Sequence, residues 1–340
     1  MINLGIIGGG GISETHARAA SETEGVKVVA FCGANKEKVD ALGIKYNAQS
    51  FSDLTKFLMH KPMDAVIIGS PSGLHAREGI ECARHGLHVL VEKPIDVTVE
   101  KADALIRQCE EANVRLGVCY QDRFSADGVR LKQILADQIL GKLILVSARV
   151  KWYRPPEYYS GSRWRGKLEL DGGGALMNQG IHTIDLMLWL LGDVTRVFAQ
   201  SRTALHNIES EDTLVATLEF ANGAIGTLEA TTSVYPGYDR RVEITGAEGT
   251  IIFEHDRIIR ADLKTPLPGG LQTVAQDTNR SSSSPIVSDV SGHKRILEDF
   301  IEAIRTNGNP RCDGQEGRRS VALVQAIYES ARNGAAIEVG

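Results

Sequence analysis

Three short stretches of this chain carry residue types and spacings that can do chemistry. The first is Gly8-Gly9-Gly10-Gly11-Ile12-Ser13, set between an apolar run and a helical segment. It is close to the GxGxxG pattern, with Gly8 and Gly10 in the first two glycine places and Ser13 in the third. Gly8 permits a tight turn and Gly10 lets the backbone approach a pyrophosphate. The helix that follows presents free N–H groups and the positive end of its dipole. Serine in the third place predicts a slightly wider spacing between helix and strand. The chemistry indicated is dinucleotide binding, with Gly8, Gly10, Gly11, Ile12 and Ser13 against the cofactor.

The second stretch is "VLVEKP", Val89 to Pro94, where a buried-type strand stops at two opposite charges and a proline. Ligands of a doubly wound sheet bind beyond the carboxyl ends of its strands, which is where Glu92 and Lys93 fall. Pro94 biases Lys93 away from helix and holds it extended. Adjacent strand residues point to opposite faces, so Glu92 and Lys93 are poorly placed to neutralise each other. The third stretch is "DGGGALMNQGIHTIDLMLWLLG", Asp171 to Gly192. Asn178, His182 and Asp185 are spaced by four and three residues and share one stripe of a helix that is otherwise apolar. The stripe suits a site lining, and equally a core histidine capped by Asp185. No third ligand stands at metal-binding distance in sequence, so no metal is expected.

The elements that must position these residues follow from hydrophobic pattern. "NLGIIG", "VKVVAFCG", "DAVIIGS", "HVLVEK" and "VRLGVCY" are fully apolar strands separated by amphipathic helices. This is the signature of a parallel, doubly wound α/β sheet over residues 1–120. From about residue 121 to 340 the rhythm changes to longer strands with partial two-residue alternation, which predicts an α+β domain with an open, mostly antiparallel sheet. Asn222-Gly223 marks a hairpin of type I′. "SSSSP", Ser281 to Pro285, is a polar loop. Two closing helices each end at a glycine, and they are able to pack back on the first domain.

Cofactor choice is read at the end of the second strand. No acid occurs from Gly25 through Lys36 to hold a ribose 2′-hydroxyl. The turn Gly33-Ala34-Asn35 leaves room for a larger group, and Lys36 and Lys38 can meet a 2′-phosphate. NADP is therefore expected over NAD.

Composition narrows the classes further. With 38 basic and 43 acidic side chains the formal charge is -5, which argues against a basic face for nucleic acid. The five cysteines form no CxxC pair, so neither a disulfide framework nor a zinc ribbon is suggested. A reduced, cytoplasmic compartment fits. The opening residues are too short in their apolar part for a signal peptide, and no apolar run approaches the ~20 residues of a membrane span. Asn279-Arg280-Ser281 matches a glycosylation acceptor by chance.

Taken together, "GIIGGGGISETHARA", "GSPSGLHAREGIECARHGLHVLVEKP" and "GGGALMNQGIHTIDLMLWLLG" resemble the glucose–fructose oxidoreductase, inositol dehydrogenase and rhizopine-catabolism family (Gfo/Idh/MocA) over nearly the whole chain. The resemblance implies a Rossmann domain followed by a sheet domain that makes dimers or tetramers. It also implies reversible hydride transfer between NAD(P) and a sugar or polyol carbon. It makes Lys93 the catalytic lysine and His182 the active-site histidine. Asn178 stands where many relatives carry an aspartate, and an amide can only hydrogen-bond. The resemblance further places Ser70, Pro71, His75, Glu92 and Gln121 near the cofactor, and Arg123, Tyr153, Arg163 and Trp164 near the substrate. Two other readings are open. "NQ" before "GIH", with Trp164-Arg165, is compatible with a dehydrogenase of a UDP-linked hexuronate. A cofactor-sensing regulator is the non-enzymatic alternative, although a sensor has no need of Lys93 and His182 together.

Overall fold

The computed structural model describes residues 1–267 and 290–340. The polar loop Ser281–Pro285 and the triplet Asn279-Arg280-Ser281 lie outside the described residues. The chain divides into two compact units, Met1–Gln121 with Ile286–Arg318, and Asp122–Pro285 with Arg319–Gly340.

The first unit holds six parallel strands: β1 Ile2–Ile7, β2 Val26–Cys32, β3 Gln49–Phe51, β4 Ala65–Ile68, β5 His88–Val91 and β6 Leu116–Val118. Their order is β3-β2-β1-β4-β5-β6. The helices are α1 Gly11–Ser21, α2 Lys36–Tyr46, α3 Leu54–Leu58, α4 His75–Arg84 and α5 Val99–Glu111. Leu4, Ile6, Ile67, Ile68 and Leu90 are fully buried, as expected of strands covered on both faces. The strand order reverses between β1 and β4, so the first glycine loop sits at the switch point where such sheets bind ligands. β3 has no hydrophobic run of its own. Its three residues form a strand because Ala30, Phe31 and Cys32 of β2 offer it a ladder.

The second unit begins with α6 Ala126–Ala136 and β7 Leu143–Lys151. Two short helices, α7 Pro156–Ser160 and α8 Leu168–Asp171, lead to α9 Ile181–Leu191. The strands β8 Val194–Arg202, β9 Thr213–Phe220, β10 Ile225–Thr231, β11 Arg241–Gly246, β12 Gly249–Glu254 and β13 Arg257–Leu263 follow. The closing helices are α10 Ser291–Thr306, in the first unit, and α11 Gly314–Asn333, and β14 Ile337–Glu338 ends the sheet. The sheet order is β13-β12-β11-β7-β10-β9-β8-β14, antiparallel except where β7 and β10 run parallel.

Turn chemistry departs from the sequence expectation in two places. The β9–β10 hairpin forms, but only Gly223 has positive φ, at 85°. Gly223 N donates to Phe220 O and Phe220 N to Ala224 O, which closes a three-residue loop with the glycine in the left-handed place. The pair with two positive φ values is His255-Asp256, at 47° and 63°, between β12 and β13. α10 ends on Asn307 at φ 56°, rather than on the glycine after it, because asparagine tolerates the left-handed region. The five cysteines are free and buried. No helix among the described residues is long and apolar enough to cross a membrane.

Candidate active site

In the first unit the site is built on the carboxyl ends of β1, β4 and β5. Gly8 has φ 124°, and a Cβ there would stand 2.6 Å from Gly69 O and 2.5 Å from Ser13 Oγ. Ser13 replaces the third glycine without a clash because Gly8 and Gly69 both lack a side chain. Its hydroxyl is fully buried and makes no hydrogen bond. A Cβ on Gly10 or Gly11 meets nothing within 4 Å. Gly10 caps α1 with no side-chain hydrogen bond, and the Ser13 and Glu14 amides turn back onto Gly10 O at 3.1 Å and 3.3 Å. This cradle, with the positive helix end behind it, fits the pyrophosphate of a dinucleotide.

Around it, Gly33 is half-buried while Ala34, Asn35 and Lys38 are exposed at the end of β2. The Asn35 side chain accepts from Lys38 N at 3.0 Å and so caps α2 rather than reaching outward. The exposed Lys36 ammonium pairs with Asp40 one turn on. Pro71 starts the short turn before α4, and Ser70 Oγ donates to Glu78 Oε2 at 2.5 Å. His75 is buried with Nδ1 2.8 Å from Pro94 O and Nε2 3.0 Å from Ser70 O. It therefore ties the loop after β4 to the segment after β5. Gln121 is half-buried at the end of this unit.

Lys93 lies two residues past β5 and is partly exposed; the Lys93–Pro94 peptide is cis. Glu92 does not go where the resemblance puts it. Its side chain is buried, with His16 Nε2 donating to Oε1 at 2.7 Å and Lys93 N donating to Oε2 at 3.2 Å. Burial alone would raise the Glu92 pKa, but the His16 hydrogen bond and the charges of His16, His293 and Lys93 bring it down to about 2. The expectation of a Glu92–cofactor contact gives way to an internal role. Both residues stand just past β5, Glu92 buried and Lys93 partly exposed. His16, Glu92 and His293 bring three ligand atoms within 4.8 Å of one another, although the His16–Glu92 separation is that of a hydrogen bond.

In the second unit the site is built on a single π-helical turn, Ala175–Gly180, that runs into α9. The sequence reading of one continuous α-helix is corrected here, since Asn178 belongs to the π turn and His182 and Asp185 to α9. The cause is Glu211, whose carboxylate accepts from Gly174 N at 3.0 Å and Leu176 N at 2.8 Å. A Cβ on Gly174 would stand 1.6 Å from Glu211 O, so only glycine can pass. Burial pushes the Glu211 carboxyl up to about 7, against the pull of those amides and of the Tyr328 hydroxyl. Nothing local in the sequence marks Glu211 as this peg.

Asn178 Nδ2 donates to Asp171 Oδ1 at 2.6 Å, and Asn178 Oδ1 accepts from Gln179 Nε2 at 3.1 Å. The His182 side chain is 14% exposed, and Nδ1 lies 3.8 Å from Asp122 Oδ2. Asp122 is buried and also pairs with Arg240, whose guanidinium burial would discharge but Asp122 and Asp256 hold charged. The sequence reading missed Asp122 and Arg240, although both neighbours of Asp122 were singled out. The Asp185 carboxylate, one turn on from His182, faces a cation. It takes a bidentate pair from Arg123, with Nε at 2.8 Å and Nη2 at 2.7 Å. Arg123 is 1% exposed, so its expected role on the substrate is corrected to an internal one. Tyr153 is half-buried, edge-on to Tyr235 at 5.2 Å; Trp164 is half-buried and Arg163 exposed.

Residues 2–120 match the family described as "Oxidoreductase family, NAD-binding Rossmann fold", and residues 129–252 match the "GFO/IDH/MocA C-terminal domain". Among solved structures, the WlbA dehydrogenase from Bordetella pertussis in complex with NADH and UDP-GlcNAcA is 34% identical. It has a TM-score of 0.88, with 100% of this chain and 99% of that one covered. The D-xylose 1-dehydrogenase (NADP(+)) 2 of Haloferax volcanii is 30% identical across 99% of both chains. The D-glucoside 3-dehydrogenase of Escherichia coli is 27% identical across 99% of this chain and 97% of its own.

Proposed function

Because this chain belongs to the GFO/IDH/MocA family of NAD-binding oxidoreductases, we propose that it interconverts a sugar carbinol and the matching carbonyl. The observation that carries the reading is the open glycine cradle on the same sheet edge as Lys93. The nicotinamide cofactor, when bound, accepts or returns the hydride. Backbone amides at Gly10, Gly11 and Ile12 hold its pyrophosphate. Gly33, Ala34 and Lys38 flank the adenosine ribose, and Ser70, Pro71 and His75 shape the loop on the nicotinamide side, with Gln121 beside it. Lys93 polarises the substrate oxygen. His182, with Nδ1 3.8 Å from Asp122 Oδ2, exchanges the hydroxyl proton at Nε2, a role open to an imidazole. Asn178 orients a sugar hydroxyl and carries no proton of its own to exchange. Tyr153 and Trp164 supply the wall on which a sugar ring rests, with Arg163 at its rim.

A UDP-linked hexuronate is the substrate class we favour within this reading, on the strength of the similarity to the Bordetella enzyme over the full chain. We also propose NADP over NAD. No acid stands at the end of β2, and among the described residues no carboxylate pairs with Lys38. The exposed apolar face of the second sheet, with Leu145, Phe198, Val215 and Ile225 each 39–58% exposed, supports a homodimer or homotetramer covered there. A solution mass of 36.9 kDa by light scattering would remove that part of the proposal. The reduced, buried cysteines suit the cytoplasm.

The test is reduction of each dinucleotide, followed by NAD(P)H absorbance, with UDP-GlcNAcA, free hexoses, pentoses and inositols. Turnover with UDP-GlcNAcA, at a kcat/KM at least about five times higher with NADP, is the expected outcome. A preference for NAD refutes the cofactor assignment alone. Tight cofactor binding with no turnover on any of these compounds would return the regulator reading.

A further inference from the structure

We infer that the guanidinium of Arg165, laid on the rings of Tyr158 and Trp164, is a subsite for a carboxylate on the substrate sugar. This deepens the sugar-dehydrogenase reading above and rests on it. The guanidinium carbon lies 4.2 Å from the Tyr158 ring centroid and 5.5 Å from that of Trp164. Arg165 N and Trp164 N both donate to Ser162 Oγ, at 3.2 Å and 3.4 Å, which fixes the backbone from which both side chains leave. Stacking occupies the face of a guanidinium and leaves its N–H edge for a planar oxyanion. Arg165 Nε is buried and has no acceptor, and among the described residues no carboxylate pairs with this arginine. A half-buried cation held in one orientation with an unused donor is poised for an anion that arrives with the ligand.

Two neighbours strengthen the assignment. Arg154, 3% exposed, brings a second guanidinium to 5.4 Å from the same Tyr158 ring. Burial, the charge of Arg165 among its lesser causes, lowers the Arg154 pKa. Two like charges on one ring repel, and an anion between or beside them relieves that repulsion. Gln179 is 4% exposed, and its Nε2 donates to Tyr158 Oη and Asn178 Oδ1, both at 3.1 Å. Its Oε1 is buried with no donor, a place for one sugar hydroxyl. Arg165, Tyr158, Gln179 and Asn178 thus form one continuous polar run into the π turn that precedes His182. A hexuronate would set its carboxylate on Arg165 and a ring hydroxyl on Gln179, two fixed points that orient the ring.

The diphosphate of a nucleotide sugar offers related oxyanion chemistry, so the test separates the two sources. Affinities of the cofactor-bound protein for UDP-GlcNAcA, which carries the carboxylate, and UDP-GlcNAc, which does not, are measured by calorimetry. The wild type, Arg165→Met and Arg165→Lys are compared, with circular dichroism and melting to check folding. The expected result is a Kd for UDP-GlcNAcA raised roughly 10- to 100-fold in Arg165→Met, with UDP-GlcNAc changed less than about twofold. Arg165→Lys, which keeps the charge and loses the planar fork, should fall between, and it carries the test if the methionine variant does not fold. Equal losses for both ligands would assign Arg165 to the diphosphate and overturn the inference, as would no loss for either. A wild type that oxidises sugars yet binds both ligands alike overturns the subsite alone, whereas a wild type that oxidises no sugar fails the underlying reading.

Discussion

Lys93→Ala is expected to lower kcat by about a thousandfold or more while the dissociation constant for the dinucleotide moves less than about threefold. The structural reason is a division of labour. The cradle for the pyrophosphate is made of backbone at Gly10 and Gly11 and of the α1 terminus, none of which depends on the Lys93 side chain. Lys93 itself leaves the sheet edge just past β5, and its direction is set from below. Glu92 is clamped by His16 and accepts the Lys93 amide, so the main chain at 93 has little freedom to turn. In the proposed role, an ammonium at that edge would polarise an oxygen by position rather than by contributing binding area. Lys93→Arg separates its two possible tasks. Arginine keeps the charge and cannot release a proton at working pH, so a partial rescue assigns Lys93 to polarisation and leaves the proton to His182. An arginine variant as inactive as the alanine one assigns proton transfer to Lys93. Single-turnover kinetics with saturating cofactor provide the measurement, and near-normal rates in Lys93→Ala would end the assignment.

The second large effect concerns stability rather than turnover. Asp185→Ala should cost roughly 3–5 kcal/mol, because it leaves the Arg123 guanidinium charged in a site that is 1% exposed. Asp185 is fully buried and meets Nε and Nη2 of Arg123 in a fork, with Ser320 Oγ 3.3 Å from the same carboxylate. The Trp189 ring, 5.9 Å away, adds a face to the same cation. For a unit of this size the loss corresponds to a melting point lower by roughly 10 °C. Arg123→Leu, which removes the charge along with the fork, should cost less than Asp185→Ala if the pair is structural, since no cation is stranded. Had the sequence expectation for Arg123 held, Arg123→Leu would raise KM and leave the melting curve in place. Thermal melts of both variants beside their KM values distinguish the two roles.

What was legible in the sequence was whatever is decided by neighbours along the chain. The glycine run, the strand that stops at Glu-Lys-Pro and the period-two strands of the second half depend on φ restrictions and on burial pattern. Those are properties of a few consecutive residues, which is why both sheets and the position of Lys93 could be anticipated. The partner of a polar side chain is a different matter. His16 meets Glu92 across 76 positions, Arg123 meets Asp185 across 62, and Arg240 reaches Asp122 across 118. In each case a carboxylate expected to face a ligand, to cap a histidine or not noticed at all is held by a basic side chain from a distant element. Burying a charge is tolerated only when such a partner is found. The same holds for backbone shape. Glycines 172–174 announce a tight passage, but the π turn that carries Asn178 is held by Glu211, which arrives from the segment before β9 to take the amides of Gly174 and Leu176. Local preferences thus chose the elements and their edges. Tertiary structure chose which polar groups would be satisfied inside, and so which, like the edge of Arg165, remained to meet a substrate.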